Sequence, residues 1–428
     1  MLHCVQDDSV QKLSMQTNLA TSIKDTPEGI EADSILRKCV HCGFCLATCP
    51  TYNLLGDELD SPRGRIYLMK QVLEGEPVTE KTQLHLDRCL TCRSCESTCP
   101  SGVQYGRLLD IGRNIVEQKV GRSFADVVER VALKNLLPRT ALFTVGLAIG
   151  RALKPLLPDA LANKIPARRE EGVRPAPRHT RRMLILEGCV QPAMAPSING
   201  ATARVFDRLG ISLIPVEGAG CCGAIAHHLN DHHASHAAIK RNIDVWWPYL
   251  AAGAEAIVVT ASGCGTMVEE YRHILRNDSE YADKARRVSE LFRDVSQVVA
   301  AESAALLTLL AARQRASMKI AFHSPCSLQH GLKIKGVVES LLRDAGFELT
   351  SVPDGHLCCG SAGTYSLLQP ELSRQLLANK IKALESGAAQ MVATANIGCL
   401  AHIEGGLNAS SKVPIRHWIE LIDERLAG

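Results

Sequence analysis

Cys39-Val-His-Cys42-Gly-Phe-Cys45-Leu-Ala-Thr-Cys49-Pro50 and Cys89-Leu-Thr-Cys92-Arg-Ser-Cys95-Glu-Ser-Thr-Cys99-Pro100 carry one pattern twice, C-x2-C-x2-C-x3-C-P. This is the bacterial ferredoxin spacing for a [4Fe–4S] cluster. A cubane needs four thiolates around one compact body. Three cysteines at spacing three sit on a tight loop that wraps one corner. The fourth is expected on the helix that follows, aimed away from that loop, and in two-cluster ferredoxins it ligates the other cluster. The expected sets are therefore Cys39, Cys42, Cys45 and Cys99 for one cluster, and Cys89, Cys92, Cys95 and Cys49 for the other. The exchange ties the two halves together, so cluster and fold should form as one. Paired zinc sites would instead ask for two Cys-x-x-Cys pairs separated by a longer loop.

About 40 residues separate Cys49 from Cys89, more than in ordinary two-cluster ferredoxins. Helical spacing from Leu54 to Val72 predicts an all-helical elaboration of the ferredoxin core. Two neighbouring clusters can take electrons one at a time from a flavin and pass them on; they do not readily perform two-electron chemistry on a carbon substrate.

The rest of the composition frames this reading. The chain has 428 residues, enough for two or three domains, with 46% apolar and 22% charged residues, as in a soluble globular protein. A formal net charge of +3 is too near zero to imply a nucleic-acid partner. There are 17 cysteines, and Met1 to Val10 has no apolar core of the kind a signal peptide needs. A cytoplasmic location keeps thiols reduced, so clustered cysteines read as ligands or redox groups rather than disulfides. No uninterrupted run of 18 apolar residues is present. Thr140 to Gly150, bounded by Arg139 and Arg151, is too short to span a bilayer and reads as a buried or interfacial helix.

Five segments are predicted: a flexible lead-in at 1–32, a helical two-cluster domain at 33–154, a Pro/Arg-rich linker at 155–182, and two copies of one α/β unit at 183–315 and 316–428. Pro155, Pro158, Pro166, Pro175 and Pro177 punctuate the linker. From Arg139 to Arg182 ten Arg or Lys face three acids, which reads either as a solvated linker or as a face for an acidic partner or anionic lipid.

The duplication rests on matched anchors. Met183-Leu-Ile-Leu-Glu leads to Cys189, Ile211-Ser-Leu-Ile-Pro-Val to Cys221-Cys222-Gly223, and Ala256-Ile-Val-Val-Thr to Cys264. In the second copy Lys319-Ile-Ala-Phe-His leads to Cys326, Phe347-Glu-Leu-Thr-Ser-Val to Cys358-Cys359-Gly360, and Met391-Val-Ala-Thr to Cys399. Cys189 to Cys221 and Cys326 to Cys358 both span 32 positions. Strands alternating with helices predict a Rossmann-like parallel sheet in each copy. Ligands of such sheets bind outside the carboxyl ends of the strands, where all four cysteines of each copy fall. Cys189, Cys221, Cys222 and Cys264, and Cys326, Cys358, Cys359 and Cys399, therefore read as either a further metal or cluster site or reduced structural thiols.

Two ferredoxin runs followed by two Cys-Cys-Gly repeats resemble the iron–sulfur subunits of glycolate oxidase and their relatives in anaerobic glycerol-3-phosphate dehydrogenase, lactate oxidation and heterodisulfide reductase. The strings Ser61-Pro-Arg-Gly-Arg-Ile, Gly220-Cys-Cys-Gly-Ala-Ile-Ala-His-His, Pro325-Cys-Ser-Leu-Gln-His-Gly and Val413-Pro-Ile-Arg-His-Trp-Ile-Glu favour the glycolate oxidase branch. The resemblance implies a partner subunit carrying FAD that oxidises glycolate to glyoxylate, a further FAD-domain subunit, and a quinone or other acceptor. It also implies peripheral contact with the cytoplasmic face of the inner membrane. One departure stands out. Heterodisulfide reductase closes its repeat with Cys-x-x-Cys, whereas here Met267 and His402 follow the closing cysteines.

Two further patterns are weaker. Gly218-Ala-Gly220-Cys-Cys-Gly223 matches a dinucleotide fingerprint, but the second copy lacks the middle glycine and the repeat explains the others. His228, His232 and His236 fall at spacing four, as on one helix face, and read as a solvated stretch or as a metal or proton site.

Overall fold

A computed structural model describes residues 15–156, 165–312, 316–411 and 413–427. The chain divides into two compact units, Met1–Ser123 and Phe124–Gly428.

The first unit is all helical: α1 (Pro27–Arg37), α2 (Pro50–Leu55), α3 (Pro62–Leu73), α4 (Glu80–Asp87), α5 (Ser94–Thr98) and α6 (Tyr105–Lys119). Three of these start at a proline, whose fixed φ and missing N–H suit the first helical position. Thr26, Ser61 and Thr79 cap α1, α3 and α4 by accepting a backbone N–H. The stretch read as one helical elaboration, Leu54 to Val72, is broken by Gly56 in the left-handed region and a 3-10 turn at Glu58–Asp60. The core is formed by Ile35 and Leu36 of α1, Met69 and Leu73 of α3, Leu86 of α4, and Leu108 and Leu109 of α6. Residues 1–14 of the expected lead-in lie outside the described residues. The remainder is held to the unit: Met15 is buried, its N–H donates to the Cys39 carbonyl (3.3 Å), and the Ala20 N–H donates to the Leu73 carbonyl (2.9 Å).

The helical domain was expected to run to residue 154. The first compact unit ends at Ser123, and α7 (Phe124–Leu136) and α8 (Thr140–Leu153) group with the second unit. Lys134 of α7 pairs with Asp231 (2.8 Å), and the Arg151 guanidinium of α8 donates to the Ala193 carbonyl (3.3 Å).

Each Cys-Cys-Gly copy forms a four-stranded, all-parallel sheet. The strands are β1 (Arg181–Leu186), β2 (Ile211–Pro215), β3 (Ile257–Val259) and β4 (Phe292–Asp294), then β5 (Met318–His323), β6 (Phe347–Leu349), β7 (Met391–Thr394) and β8 (Ile415–His417). Their orders, β2-β1-β3-β4 and β6-β5-β7-β8, are the same topology twice. Met183–Leu186 and Ile320–His323 are continuously buried, as parallel strands covered on both faces must be. Helices such as Ser197–Arg208 and Trp418–Ala427 lie between the copies, and one core cluster runs from Ile185 and Phe206 to Phe347, Leu400 and Trp418. Arg204 and Arg208 of the first copy pair with Asp423 of the second.

In the described part of the Pro/Arg-rich stretch several arginines form ion pairs, while much of the segment stays exposed. Arg169 pairs with Glu404 (2.7 Å), Arg178 with Asp207 (2.6 Å) and Arg181 with Glu302 (2.8 Å). Extended backbone with few N–H donors, which the prolines impose, can lie across two sheets without joining either.

His417 closes the joint between the copies. Its Nε2–H donates to the Thr260 carbonyl of the first copy (3.0 Å), and its Nδ1 accepts from the Ile419 N–H. Burial holds its pKa down at about 4. The unfolded chain then binds a proton that the folded chain refuses, so this residue's contribution is complete above about pH 6.5 and is lost as pH falls towards 4. We expect His417 to account for up to about 3 kcal/mol of acid destabilisation across that window. Denaturant titrations of His417→Gln should give a flatter pH dependence there than wild type; equal slopes would contradict this.

Candidate metal centres

The two ferredoxin loops share one backbone device. His41 and Gly43 have φ of 53° and 82°, and Thr91 and Arg93, at matching positions, have φ of 52° and 58°. Left-handed backbone at three non-glycine positions is strained, and such strain persists where surrounding structure enforces it. It curls each loop so that its cysteines line one cavity.

One cavity is lined by Cys39, Cys42, Cys45 and Cys99, with Cys95 at its wall. The other is lined by Cys49, Cys89, Cys92 and Cys95. The fourth cysteine of each run thus faces the cavity of the other run. Pro62, Cys95 and Tyr105 border both cavities. The fourth cysteines do not sit within helices as expected. Cys49 is the extended residue capping α2, and Cys99 ends α5 in the same conformation (ψ 114° at both). After Pro100 the chain turns at Gly102 (φ 65°), and α6 begins only at Tyr105.

These are crowded thiols. Burial, aided by the neighbouring cysteines, raises Cys45 to about 11, raises Cys39, and pushes Cys95 well above the ordinary thiol range. Four thiolates in one such cavity would repel each other, and only a cationic core reconciles them. All-sulfur donors, none in a disulfide, fit a [4Fe–4S] cluster.

Behind the second cavity lies a buried ion network. Arg65 of α3 is 1% exposed. Its guanidinium donates to the His85 carbonyl (2.7 Å), Thr51 Oγ1 (3.1 Å), Asp60 Oδ1 (3.1 Å) and, at 3.9 Å, Cys49 Sγ. Asp60 is also met by Arg88 (2.8 Å). Burial opposes the charge on Arg65, but Cys89, Tyr105, Cys49 and Asp60 outweigh it and raise its pKa. The Tyr105 hydroxyl donates to Cys89 Sγ (3.6 Å), and Arg113 fixes the Leu86 and Cys89 carbonyls. The first cavity has a lighter frame. Arg63, paired with Glu58 and partly exposed, stands beside it, and Cys42 and Phe44 face solvent. Sequence reading missed Arg65, Asp60 and Tyr105. The available signal was Arg65, a charge four residues before buried Met69 on the core face of α3.

The Cys-Cys-Gly repeats also gather their thiols. In the first copy hydrogen bonds run Cys189–Cys221–Cys222–Cys264. Those from Cys189 and Cys222 lower the pKa of the Cys221 thiol. In the second copy the Cys326 thiol donates to Cys358 Sγ (3.8 Å), and His323, Cys359 and Cys399, all buried, place their ligand atoms within 4.8 Å of one another. Burial keeps His323 neutral, as a metal ligand requires. Each Cys-Cys pair turns at a glycine with φ near +90°, Gly223 and Gly360. Met267 lies in the apolar core, and His402 meets Ser373 Oγ (3.3 Å).

The dinucleotide fingerprint finds no partner helix of useful length: the helix after Gly223, Ala224–His228, has 5 residues. His228 and His232 do not share a helix, because Asn230 (φ 61°) breaks the chain between Ala224–His228 and His232–Ala251.

Comparison with known proteins agrees with this architecture. Residues 35–103 match the 4Fe-4S dicluster domain, and residues 183–269 and 320–404 match the cysteine-rich domain. The glycolate oxidase iron–sulfur subunit of Escherichia coli K12 is 55% identical, over 96% of this chain and 99% of the relative. The chain belongs to the family of glycolate oxidase iron–sulfur subunits. A probable glycolate oxidase iron–sulfur subunit of Bacillus subtilis is 30% identical over 91% of this chain and 94% of its own. Lactate utilization protein A of the same organism is 27% identical over 55% of this chain and 97% of its own. As a member of this family the chain is an iron–sulfur electron carrier with two [4Fe–4S] clusters.

Replacing Arg65 with Met should act in two ways. It leaves Asp60 short of a buried partner, which costs about 3–5 kcal/mol of stability. It also removes a cation beside the Cys49/Cys89 cavity, so the potential of one iron–sulfur signal should move to more negative values. Arg65→Lys should recover part of the potential. Redox titration followed by electron paramagnetic resonance reads this, and an unmoved potential in folded Arg65→Met would contradict it.

Proposed function

We propose that this chain is the electron-relay subunit of a glycolate-oxidising complex and does no substrate chemistry of its own. The observation that carries the reading is the pair of four-cysteine cavities with exchanged fourth cysteines. On this reading Cys39, Cys42, Cys45 and Cys99 hold one cluster, and Cys89, Cys92, Cys95 and Cys49 the other. The bound clusters supply one-electron steps between a two-electron flavin donor and an acceptor. The protein supplies the rest. Tyr105 and Pro62 fill the space between the cavities, Arg65 offsets negative charge at one, and exposed Cys42 with Phe44 leaves the other open to a redox partner. The donor is an FAD subunit that oxidises glycolate to glyoxylate, joined by a further FAD-domain subunit, and the acceptor is a quinone.

Resemblance to the glycolate oxidase relatives runs nearly end to end, whereas the lactate utilization relatives cover about half the chain, which favours glycolate over lactate. A heterodisulfide-reductase-like catalytic site is disfavoured by Met267 and His402 at the places of its closing cysteines. The Cys-Cys-Gly cysteines hold a further metal in the second copy, where His323, Cys359 and Cys399 converge.

Anaerobic affinity purification should bring down a flavoprotein with glycolate-dependent dye reduction, and its absence removes the subunit reading. Two clusters account for about eight irons per chain, and metal beyond that belongs to the second repeat. Cys99→Ser should erase the same resonance as Cys42→Ser, and Cys49→Ser the same as Cys92→Ser. Loss sorted by sequence neighbourhood instead would break the ligand exchange.

We further propose that α7 and α8 rest on the cytoplasmic face of a membrane. Among the described residues no single helix is long and apolar enough to cross one, and α7 and α8 meet at 109°. Neither helix has a buried residue. Val127, Val128, Val131, Val145 and Ile149 are all exposed, far more apolar surface than scattered side chains explain. Arg130 to Pro158 contains five Arg or Lys and no acid, which suits anionic lipid. The chain should co-sediment with phosphatidylglycerol-containing vesicles and much less with phosphatidylcholine alone. The double variant Val145→Asp, Ile149→Asp should stay in the supernatant while keeping both cluster signals. Equal sedimentation of variant and wild type would exclude this face.

A further inference from the structure

The two Cys-Cys-Gly copies share a topology but differ at one place. Beside the second copy's cysteines, at the carboxyl ends of β5 and β6, lies an open cavity of about 510 Å³. Its lining includes His323, Lys335, Glu339, Arg343, His356 and Lys380. Such a crevice is the usual ligand position of an open parallel sheet.

The first copy has the same crevice, filled. Gly210 and Gly346, both with φ near +80°, end the matching helices. Ten residues before each stand Gly200 and Gly336. A Cβ on Gly200 would lie 2.2 Å from the Glu171 carbonyl oxygen, whereas one on Gly336 would meet nothing within 4 Å. The segment 171–179 covers the first crevice: Arg204 donates to the Glu171 carbonyl (3.0 Å), and the Arg178 and His179 N–H groups donate to Ser212 Oγ. Arg178 also pairs with Asp207 (2.6 Å).

Side chains diverge with the filling. Counting from the same glycines, Lys335 replaces Asn199 and Arg343 replaces Asp207. His356 replaces Ala219, two before the Cys-Cys pair, and Lys380 replaces Asn242, seven after Ser373 and Ser235. The first-copy set carries one acid and no cation, whereas the second carries three cations and one acid, Glu339. Asn199 and Asn242 are buried and satisfied within the fold: Asn199 by Gln191 and Thr260, Asn242 by Gly220 and Cys221. Lys380 is 3% exposed, and its ammonium donates to the Asp354 carbonyl (2.9 Å). No carboxylate among the described residues pairs with Lys335, Arg343 or Lys380. Lys380 has no direct ion pair; burial opposes its charge, which the nearby Cys359 and Cys358 sulfurs and Asp354 favour. The first copy has an uncharged asparagine at that place.

We propose that this crevice of the second repeat binds a small oxyanion-bearing molecule, a carboxylate or a phosphate, held by Lys335, Arg343 and Lys380. Its open mouth and its charge both fit such a ligand, and charge-assisted hydrogen bonds from Arg and Lys would supply the grip. The site stands independently of the identity of the flavin partner.

The test uses the full chain, purified anaerobically with its clusters. Calorimetric titration with glycolate, oxalate and inorganic phosphate at fixed ionic strength, against chloride, separates the two sources. Saturable one-site binding of either class is expected, with the responding class naming the ligand. Arg343→Ala, on an exposed side chain, should weaken it at least about tenfold with cluster spectra unchanged, and Lys380→Met should weaken it further. The proposal is overturned if no anion binds saturably, or if binding survives Arg343→Ala undiminished. Loss of flavoprotein co-purification in these variants without saturable anion binding to wild type would instead mark a protein–protein contact, and likewise overturns it.

Discussion

Crowding of thiols is the constraint on which the first unit depends. Cys39 and Cys95 are buried and Cys45 is half-buried beside other sulfurs, and desolvation raises their pKa values because it disfavours the thiolate. Iron supplies the missing positive charge, and the helices respond to where the sulfurs must be. Proline opens α2 directly after Cys49, and strained left-handed residues recur at His41, Thr91 and Arg93. Since each run sends its last cysteine into the other's cavity, neither half can be completed alone. Metal binding and folding are therefore one equilibrium in this unit.

The two cavities are not electrostatically equal. One is backed by Arg65, buried in an ion pair with Asp60; the other by Arg63, in a partly exposed pair with Glu58. A buried cation favours the more negative, reduced state of whatever it adjoins, and a screened one does so weakly. Beside the Cys39/Cys99 cavity, Cys42 and Phe44 are exposed.

Much of this was legible in the sequence because the signals were local. Cysteine spacing, the proline after each run and the glycine after each Cys-Cys pair constrain backbone within a few residues. The duplication was legible because both copies keep the same intervals. What stayed hidden was long-range. Arg65 becomes meaningful only when α3 brings it beneath Cys49 and Cys89, and His323 only when β5 and β7 lie side by side, where its ring meets Thr394 (3.0 Å). The arginines of the linker look surplus in the sequence until Glu404, Asp207 and Glu302 arrive from 29 to 235 residues away. Helical spacing also overran real breaks, at Gly56 and Asn230, where one residue in left-handed backbone ends a helix that periodicity would continue.

Duplication explains how the second unit can hold both a sealed site and an open one. The copies share one apolar core and are clasped by His417 on Thr260 and by Arg204 and Arg208 on Asp423. Neither sheet is free to relax without the other. Under that restraint the first copy can give its crevice to the chain's own extended segment and its cysteines to a hydrogen-bonded string around Cys221. The second copy keeps the crevice open and adds His323 and Lys380 to what the first leaves as Leu186 and Asn242. A fold used once must compromise between stability and binding, since buried cations and convergent ligands are costly. Used twice in one chain, with a shared core, it can assign rigidity to one copy and chemistry to the other.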